Sequence, residues 1–167
     1  HAYYRSLDLM ALGDSVSWVS PEPVPVWVDI AREYTEQWVH QAQIRDALGM
    51  GIGGIRERRL FAPVLATFML ALPYALRKVA AADGTRLHVV ITGEAGGEWF
   101  AVRSAGAWTL RTSCADEADE TKATLDDDTA WRLWTRGLPP EAGLYVLQAS
   151  GDARLAMTVR DMVTFIG

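Results

Sequence analysis

The chain has 167 residues, half of them hydrophobic and 22% charged, which excludes a disordered protein and allows one ordinary domain or two small ones. Its net charge is −5 and its basic residues are scattered, so we expect no nucleic-acid partner. The single cysteine, Cys114, cannot form an internal disulfide and is read as a spectator, which fits a reducing, cytoplasmic location.

The first part of the chain is predicted to be helical. Apolar residues at helical spacing predict a helix over residues 3–12, a loop over 14–25 and a long helix over 28–48. Gly49 follows that helix in the position that a helix C-cap prefers. Four glycines within residues 49–54 then predict a linker between two parts of the chain.

The longest uncharged run covers residues 60–76. Its 17 residues lie at the lower edge of the length that spans a bilayer. It contains Pro63 and Pro73, and charged residues flank it on both sides. We therefore predict a buried helix over residues 60–79, broken near Pro73, and no membrane partner.

From Asp83 onward the apolar period changes from 3.6 to 2, which predicts strands. Strands are expected over residues 87–92, 98–104, 108–112, 121–125 and 144–149, with a hairpin at Gly96-Gly97. Helices are expected over residues 129–136, after the carboxylates of residues 126–128, and from residue 152 to the end. The sequence thus predicts an α+β fold, with a small, mainly antiparallel sheet and helices on one of its faces.

Glu36 and His40 are the candidate metal ligands, because they are spaced E-x-x-x-H on the long predicted helix. Side chains four residues apart lie one turn apart on a helix, so both can reach one cation. An imidazole and a carboxylate suit zinc, iron or nickel, and a catalytic zinc usually keeps three protein ligands. The alternative is a solvated helical pair, with Ile30, Tyr34, Trp38 and Leu48 on the opposite, buried face.

Residues 31–48 closely resemble the last helix of the DinB-like metal-binding bundle in the mycothiol-dependent maleylpyruvate isomerase family. Residues 92–99, Thr-Gly-Glu-Ala-Gly-Gly-Glu-Trp, resemble the G-x-x-G-G-x-W hairpin of that family's C-terminal domain, which is related to sterol carrier protein folds. Residues 123–126, 131–133 and 151–152 fall where that domain has its fourth strand, its helix and the start of its final helix. The resemblance implies a partial DinB-like bundle over residues 1–52 and a sterol-carrier-protein-like domain over residues 58–167.

This resemblance implies a divalent metal, usually zinc, with Glu36 and His40 as two of three ligands. The family's third ligand is a histidine on an earlier helix, and the neighbours of His1 do not match that helix. Mycothiol, a low-molecular-weight thiol, is the implied cofactor, and its metal-bound thiolate would attack a small electrophilic substrate by isomerisation or thiol transfer. Arg45 and Arg103 are available to hold substrate carboxylates. Missing bundle helices or a second chain are expected to complete the helical part.

A metal-free binding module is the alternative of a different class. An apolar cavity between the sheet and the last helix would then hold a small lipid or other hydrophobic ligand. Tryptophans in the second part would serve either a core or such a cavity, and these are Trp99, Trp108, Trp131 and Trp134. His88 alternates with strand residues and is expected to be a surface or sheet-packing residue.

Overall fold

The computed structural model describes residues 5–114, 121–139, 141 and 146–164. The fold is α+β, as predicted. Its helices are α1 (Val26–Ala47), α2 (Arg58–Met69), α3 (Leu72–Leu76), α4 (Asp127–Trp134) and α5 (Ala153–Asp161), with a short 3₁₀ turn at Gly53–Ile55. Its strands are β1 (Leu12–Ser15), β2 (Pro23–Pro25), β3 (Arg86–Thr92), β4 (Gly97–Ser104), β5 (Ala107–Arg111), β6 (Thr121–Asp126) and β7 (Gln148–Ser150).

The main sheet has the strand order β5-β4-β3-β6-β7. Neighbouring strands are antiparallel except for the central pair, β3 and β6, which run parallel. On β3, Leu87, Val89 and Ile91 alternate toward the core and are almost completely buried. The predicted period of two therefore places one face of the sheet against the helices.

The predicted helix over residues 3–12 is wrong beyond Arg5, which is the one described residue of that range in a helical conformation. Residues 6–11 form turns and bends, and Leu12 begins a strand; residues 3 and 4 lie outside the described residues. The backbone N–H groups of Val26 and Trp27 donate to the carbonyls of Ala11 and Leu9, at 3.0 and 3.1 Å. This pairing with a distant segment overrides the local helical pattern.

The long helix is confirmed, and so is its glycine end. Gly49 has a φ of +68°, and its N–H donates to the Asp46 carbonyl at 3.0 Å. The N–H of Met50 donates to the Arg45 carbonyl at 2.9 Å, which completes a Schellman motif. Leu48 is the residue that caps α1.

The predicted break near Pro73 is also confirmed, because α2 ends at Met69 and α3 begins at Leu72. Pro73 lies in the first turn of α3, where its missing N–H leaves no helical acceptor unpaired. The stretch Arg58–Leu76 is long and apolar enough to cross a membrane by length and composition, with a mean hydropathy of 1.6. Six of its large side chains are nevertheless fully buried in the fold: Phe61, Leu65, Phe68, Met69, Leu72 and Leu76. It packs as a core helix.

The buried face of α1 differs from the predicted one. Trp38 is 5% exposed, but Tyr34 and Leu48 are 37% and 67% exposed. The face that meets α2 instead carries Val28, Thr35, Trp38, Val39 and Ala42. The core is continuous from this face into the second part of the chain, and the division into residues 1–52 and 58–167 stays a prediction.

The end of the chain follows the prediction less closely. Residues 144 and 145 of the predicted last strand lie outside the described residues, and β7 covers Gln148–Ser150. The terminal helix is confirmed as α5, with Asp152 as its N-cap, but it ends at Asp161 rather than continuing as predicted. Leu155 and Val159 on α5 and Met162 directly after it form a buried apolar stripe.

Candidate functional site

Glu36 projects from α1 on the side away from the core and is half-buried. Its carboxylate accepts a 2.6 Å hydrogen bond from Arg32, one turn earlier on the helix. The same guanidinium also donates to Asp29 and Glu33. Burial lowers the pKa of Arg32, but the hydrogen bonds to Asp29 and Glu36 raise it by more. Arg32 thus pairs with three carboxylates of α1, and this contact holds the Glu36 side chain in place.

His40 lies one turn after Glu36 and is exposed. Its Nδ1 is 3.2 Å from Oε1 of Gln43. With the proton on Nδ1, this nitrogen donates to Gln43, and Nε2 carries the lone pair that could bind a cation. Metal-bound histidines nearly always have such an oxygen partner on the other ring nitrogen.

The two side chains line different concavities. Glu36 lines a polar cavity of about 400 Å³ together with Asp14, Ser15, Val16, Ser17, Trp18, Asp29 and Arg32. His40 lines a groove of about 600 Å³ together with Gln37, Gln41, Ile44, Arg45 and Met50. The donor types fit a divalent transition metal. Within residues 5–114, 121–139, 141 and 146–164, however, no three His, Cys, Asp or Glu side chains form a metal-binding group. His1 lies outside that part of the chain.

His88 packs within the sheet, in line with its predicted role. It is 8% exposed, and its ring stacks on Phe100 with 4.4 Å between ring centroids. Its Nε2 is 2.9 Å from a carboxylate oxygen of Glu98 on the neighbouring strand. Such cross-strand contacts stabilise a sheet. His88 therefore packs in the sheet and is separate from Glu36 and His40, which lie on α1.

The two arginines considered for substrate binding lie in different places. Arg45 lines the groove beside His40, where it could meet an anionic group. Arg103 lies on β4, with its guanidinium carbon 5.8 Å from the centroid of the Trp108 ring. The structure therefore brings Arg45, but not Arg103, next to His40, one of the two predicted metal ligands.

An apolar cavity of about 480 Å³ lies between α2, the start of α1 and the edge of the sheet. Its walls are Trp27, Pro63, Ala66, Thr67, Leu70, Trp99, Leu110, Arg111 and Thr112. The apolar cavity expected from the sequence was placed elsewhere, between the sheet and the last helix. Residues of α5 instead line a second cavity, of about 460 Å³, which they share with α3 and the loop at Ser17 and Trp18.

The glycines of the hairpin position Trp99 in the wall of this apolar cavity. A Cβ on Gly96 would lie 2.0 Å from the carbonyl oxygen of Ile91. A Cβ on Gly97 would lie 2.9 Å from the far edge of the Trp99 ring. Gly96 is therefore required by the backbone, whereas a larger residue at Gly97 would displace the Trp99 ring, so the hairpin predicted from sequence also shapes the cavity wall. The contribution of Trp27 was not predicted, since it depends on how α1 packs.

Known proteins resemble this chain only distantly. No protein-family model matches the chain, and no curated protein matches it. Among solved structures, a solution structure of the sterol carrier protein domain 2 of Helicoverpa armigera is 16% identical, with a TM-score of 0.36. The alignment covers 62% of this chain and 80% of that one.

A second match is the stereoselective inverting sec-alkylsulfatase Pisa1 from Pseudomonas sp., 11% identical, with a TM-score of 0.37. The alignment covers 83% of this chain but only 30% of the alkylsulfatase chain. These two similarities concern the fold alone, and no activity, substrate or cofactor of this chain follows from them.

Proposed function

We propose that this chain is part of a divalent-metal-dependent enzyme that uses a low-molecular-weight thiol, with Glu36 and His40 as two metal ligands. The observation that supports the proposal is the placement of Glu36 and His40 one turn apart on α1, with Nδ1 of His40 3.2 Å from Oε1 of Gln43, an oxygen partner of the kind that metal-bound histidines have. The third ligand would come from residues outside the described part of the chain or from a partner. The resemblance of residues 31–48 to the isomerase family supports zinc as the metal and mycothiol as the thiol.

In this function, the chain's own residues would bind the metal and orient its ligands and the substrate. A bound cation would supply one effect, a lowered pKa for a coordinated thiol. Arg32 holds the Glu36 carboxylate, and Gln43 fixes the orientation of the His40 ring. Arg45, in the same groove as His40, would hold a carboxylate of a small electrophilic substrate. Isomerisation and thiol transfer are both compatible with such an arrangement.

Metal titration of the natural full-length protein tests the proposal. Zn²⁺ binding is measured by calorimetry for the wild type and for the Glu36→Gln, His40→Ala and Gln43→Ala variants. We expect the two ligand variants to lose binding and Gln43→Ala to lose about 10- to 100-fold in affinity. His88→Ala is the control, since its ring packs in the sheet and its loss leaves α1 unchanged. Unaltered zinc affinity in His40→Ala would show that Glu36 and His40 are ordinary solvated residues on the helix surface and not metal ligands.

A second candidate, binding of a small apolar ligand, is favoured by the cavity at Trp27 and Trp99. Aromatic and aliphatic walls with a few polar groups at the rim are typical of small-molecule sites, and Thr67 and Arg111 supply the polar groups here. This function needs no metal and is compatible with the first. It would make the second part of the chain a holder for an apolar substrate or lipid.

Dye binding tests this second candidate. We expect anilinonaphthalene sulfonate to bind the wild type and quench its tryptophan fluorescence. Ala66 is exposed at the cavity wall, so Ala66→Phe should block the dye while the fold is retained. Ala153→Phe, at an exposed position on α5, is the matched control and should bind as the wild type does. Equal dye binding by both variants would contradict the proposal.

A further inference from the structure

The cavity of about 460 Å³ between α3, α5 and the loop after β1 has no part in the functions proposed above. Its size is typical of small-molecule sites. Among the described residues, it shares no wall with the groove of His40 and Arg45 or with the cavity between Trp27 and Trp99. Most of its walls are apolar side chains: Trp18, Ala71, Tyr74, Ala75, Met162 and Val163.

Arg77 is held in a fixed position at the wall of this cavity. Its guanidinium carbon lies 3.7 Å from the centroid of the Tyr74 ring, and its Nη1 donates to the Tyr74 carbonyl at 2.6 Å. No carboxylate in the part of the chain that the structure describes pairs with Arg77. The guanidinium has more N–H donors than its contact with Tyr74 uses, so the others are available to an anion in the cavity.

The remaining polar groups of the cavity favour the same kind of ligand. Trp18 is 9% exposed, and its indole N–H has no acceptor among the described residues. Asp161 also lines the cavity, but its two carboxylate oxygens accept hydrogen bonds from Arg160, at 2.6 and 2.8 Å. Within the described residues, the wall therefore presents an unpaired positive charge and a neutral donor, while its negative charge is already paired.

We propose that this cavity binds an aromatic monocarboxylate, with the ring packed against Trp18 and Tyr74 and the carboxylate bound by Arg77. The two aromatic side chains offer flat apolar surface to a ring. The planar guanidinium can meet a carboxylate with two parallel hydrogen bonds. Arg77 is exposed, so the carboxylate lies at the mouth of the cavity and the ring lies inside.

The cavity of Glu36 adjoins this one, because Trp18 lines both. Its charge is different, since its walls include the carboxylates of Asp14, Asp29 and Glu36, which repel an anion. Binding of a carboxylate by Arg77 needs no metal. The experiments are therefore done in the presence of a chelator, so that their result does not depend on the metal site proposed above.

The first experiment compares two ligands of the same shape by calorimetry, naphthoate and its neutral analogue naphthylmethanol. We expect naphthoate to bind at least about 10-fold more tightly, because a hydrogen bond to a charged group is stronger than one to a neutral group. Octanoate, a carboxylate without a ring, should bind more weakly than naphthoate. Equal affinity for naphthoate and naphthylmethanol, or tighter binding of octanoate, would overturn the proposal.

The second experiment locates the carboxylate with variants. Arg77→Gln should lower the affinity for naphthoate by about 10- to 100-fold and leave that for naphthylmethanol unchanged. Arg59→Gln is the matched control and should bind as the wild type does, since Arg59 is 74% exposed and pairs with Glu57 on the surface. Ala66→Phe, which fills the cavity between Trp27 and Trp99, should retain naphthoate binding.

Two results would contradict this location. Unchanged naphthoate affinity in Arg77→Gln would show that Arg77 does not bind the carboxylate. Complete loss of naphthoate binding in Ala66→Phe would place the ligand in the other apolar cavity.

Discussion

The indole ring of Trp38 stacks on the phenyl ring of Phe61, with 4.3 Å between centroids and 3° between the planes. The same indole lies nearly perpendicular to Trp131, with 5.6 Å between ring centroids, and its Nε1 donates to the Ile55 carbonyl at 2.9 Å. One side chain of α1 thus contacts α2, α4 and the connecting segment. Burial, stacking and a satisfied N–H combine at this residue, so it anchors the helix that carries Glu36 and His40.

Trp38→Ala is expected to lower the free energy of unfolding by about 3–5 kcal/mol, the range for removal of a large buried aromatic. Urea denaturation measures this. Ile44→Ala, on the exposed side of the same helix, is the control and should change stability by less than about 0.5 kcal/mol. Equal losses in the two variants would mean that α1 does not pack on its Trp38 side.

The ion pair of Arg56 and Asp127 leads to a second prediction. Asp127 is completely buried in the first turn of α4, while the Arg56 side chain is 41% exposed. The Asp127 carboxylate also accepts a 3.4 Å hydrogen bond from the Ala95 N–H, and it packs against Gly93, which has a φ of +108°. The pair therefore ties the segment after α1 to the hairpin and to α4.

We expect Arg56→Ala to cost about 3 kcal/mol, because it leaves a buried carboxylate without its cation. Adding Asp127→Asn to that variant should recover more than half of the loss. Arg59→Ala is the matched control: Arg59 is 74% exposed and paired on the surface, so its loss should be close to zero. Thermal unfolding of the three variants decides, and no recovery in the double variant would argue against the buried charge as the cause.

Local patterns were enough to predict β3, β4, β5 and β6 and the glycine end of α1, because alternation and turn residues act over a few positions. The helix predicted over residues 3–12 failed because residues 9 and 11 pair with residues 26 and 27, a contact that no local window contains. The face of α1 was misjudged because Tyr34 and Leu48 are more apolar than Thr35 and Ala42. Burial there is decided by where α2 lies, and the same holds for the cavity between Trp27 and Trp99.

The candidate metal ligands show the same limit. Helical geometry alone places Glu36 and His40 one turn apart, so this much was predictable. That they border different concavities depends on the antiparallel pairing of β1 with β2, because Asp14 and Ser15 of β1 close the cavity around Glu36. Such a contact between distant segments leaves no trace in the E-x-x-x-H spacing.

Acid should weaken the N-terminus of α4. Burial raises the pKa of Asp126, but hydrogen bonds from the Thr129 hydroxyl and N–H lower it by more, to below its ordinary value of 3.8. A carboxyl whose pKa is lower in the folded protein contributes stability above its unfolded pKa and loses it as the pH falls through the folded one. This contribution is therefore present at neutral pH and is lost below about pH 3.8.

Asp126→Ala is expected to cost about 1 kcal/mol at neutral pH, as for other lost N-caps. Asp126→Asn keeps a capping oxygen but no titrating group, so its stability difference from the wild type should shrink as the pH is lowered toward about 2.5. Denaturation curves across this range provide the measurement. A difference independent of pH would show that the Asp126 charge plays no part.

The adjacent glycines of the hairpin should respond differently to the same added methyl group. In Gly96→Ala the Cβ would overlap a backbone carbonyl oxygen, that of Ile91, so β3 and β4 must shift; we expect a loss of about 1–3 kcal/mol. In Gly97→Ala the Cβ meets the far edge of the Trp99 ring, which can turn. Stability should then fall by less than in Gly96→Ala, while the displaced ring changes the cavity and weakens dye binding. Unfolding curves and dye titrations on both variants separate the two effects. Normal dye binding in Gly97→Ala would show that Trp99 does not shape the cavity.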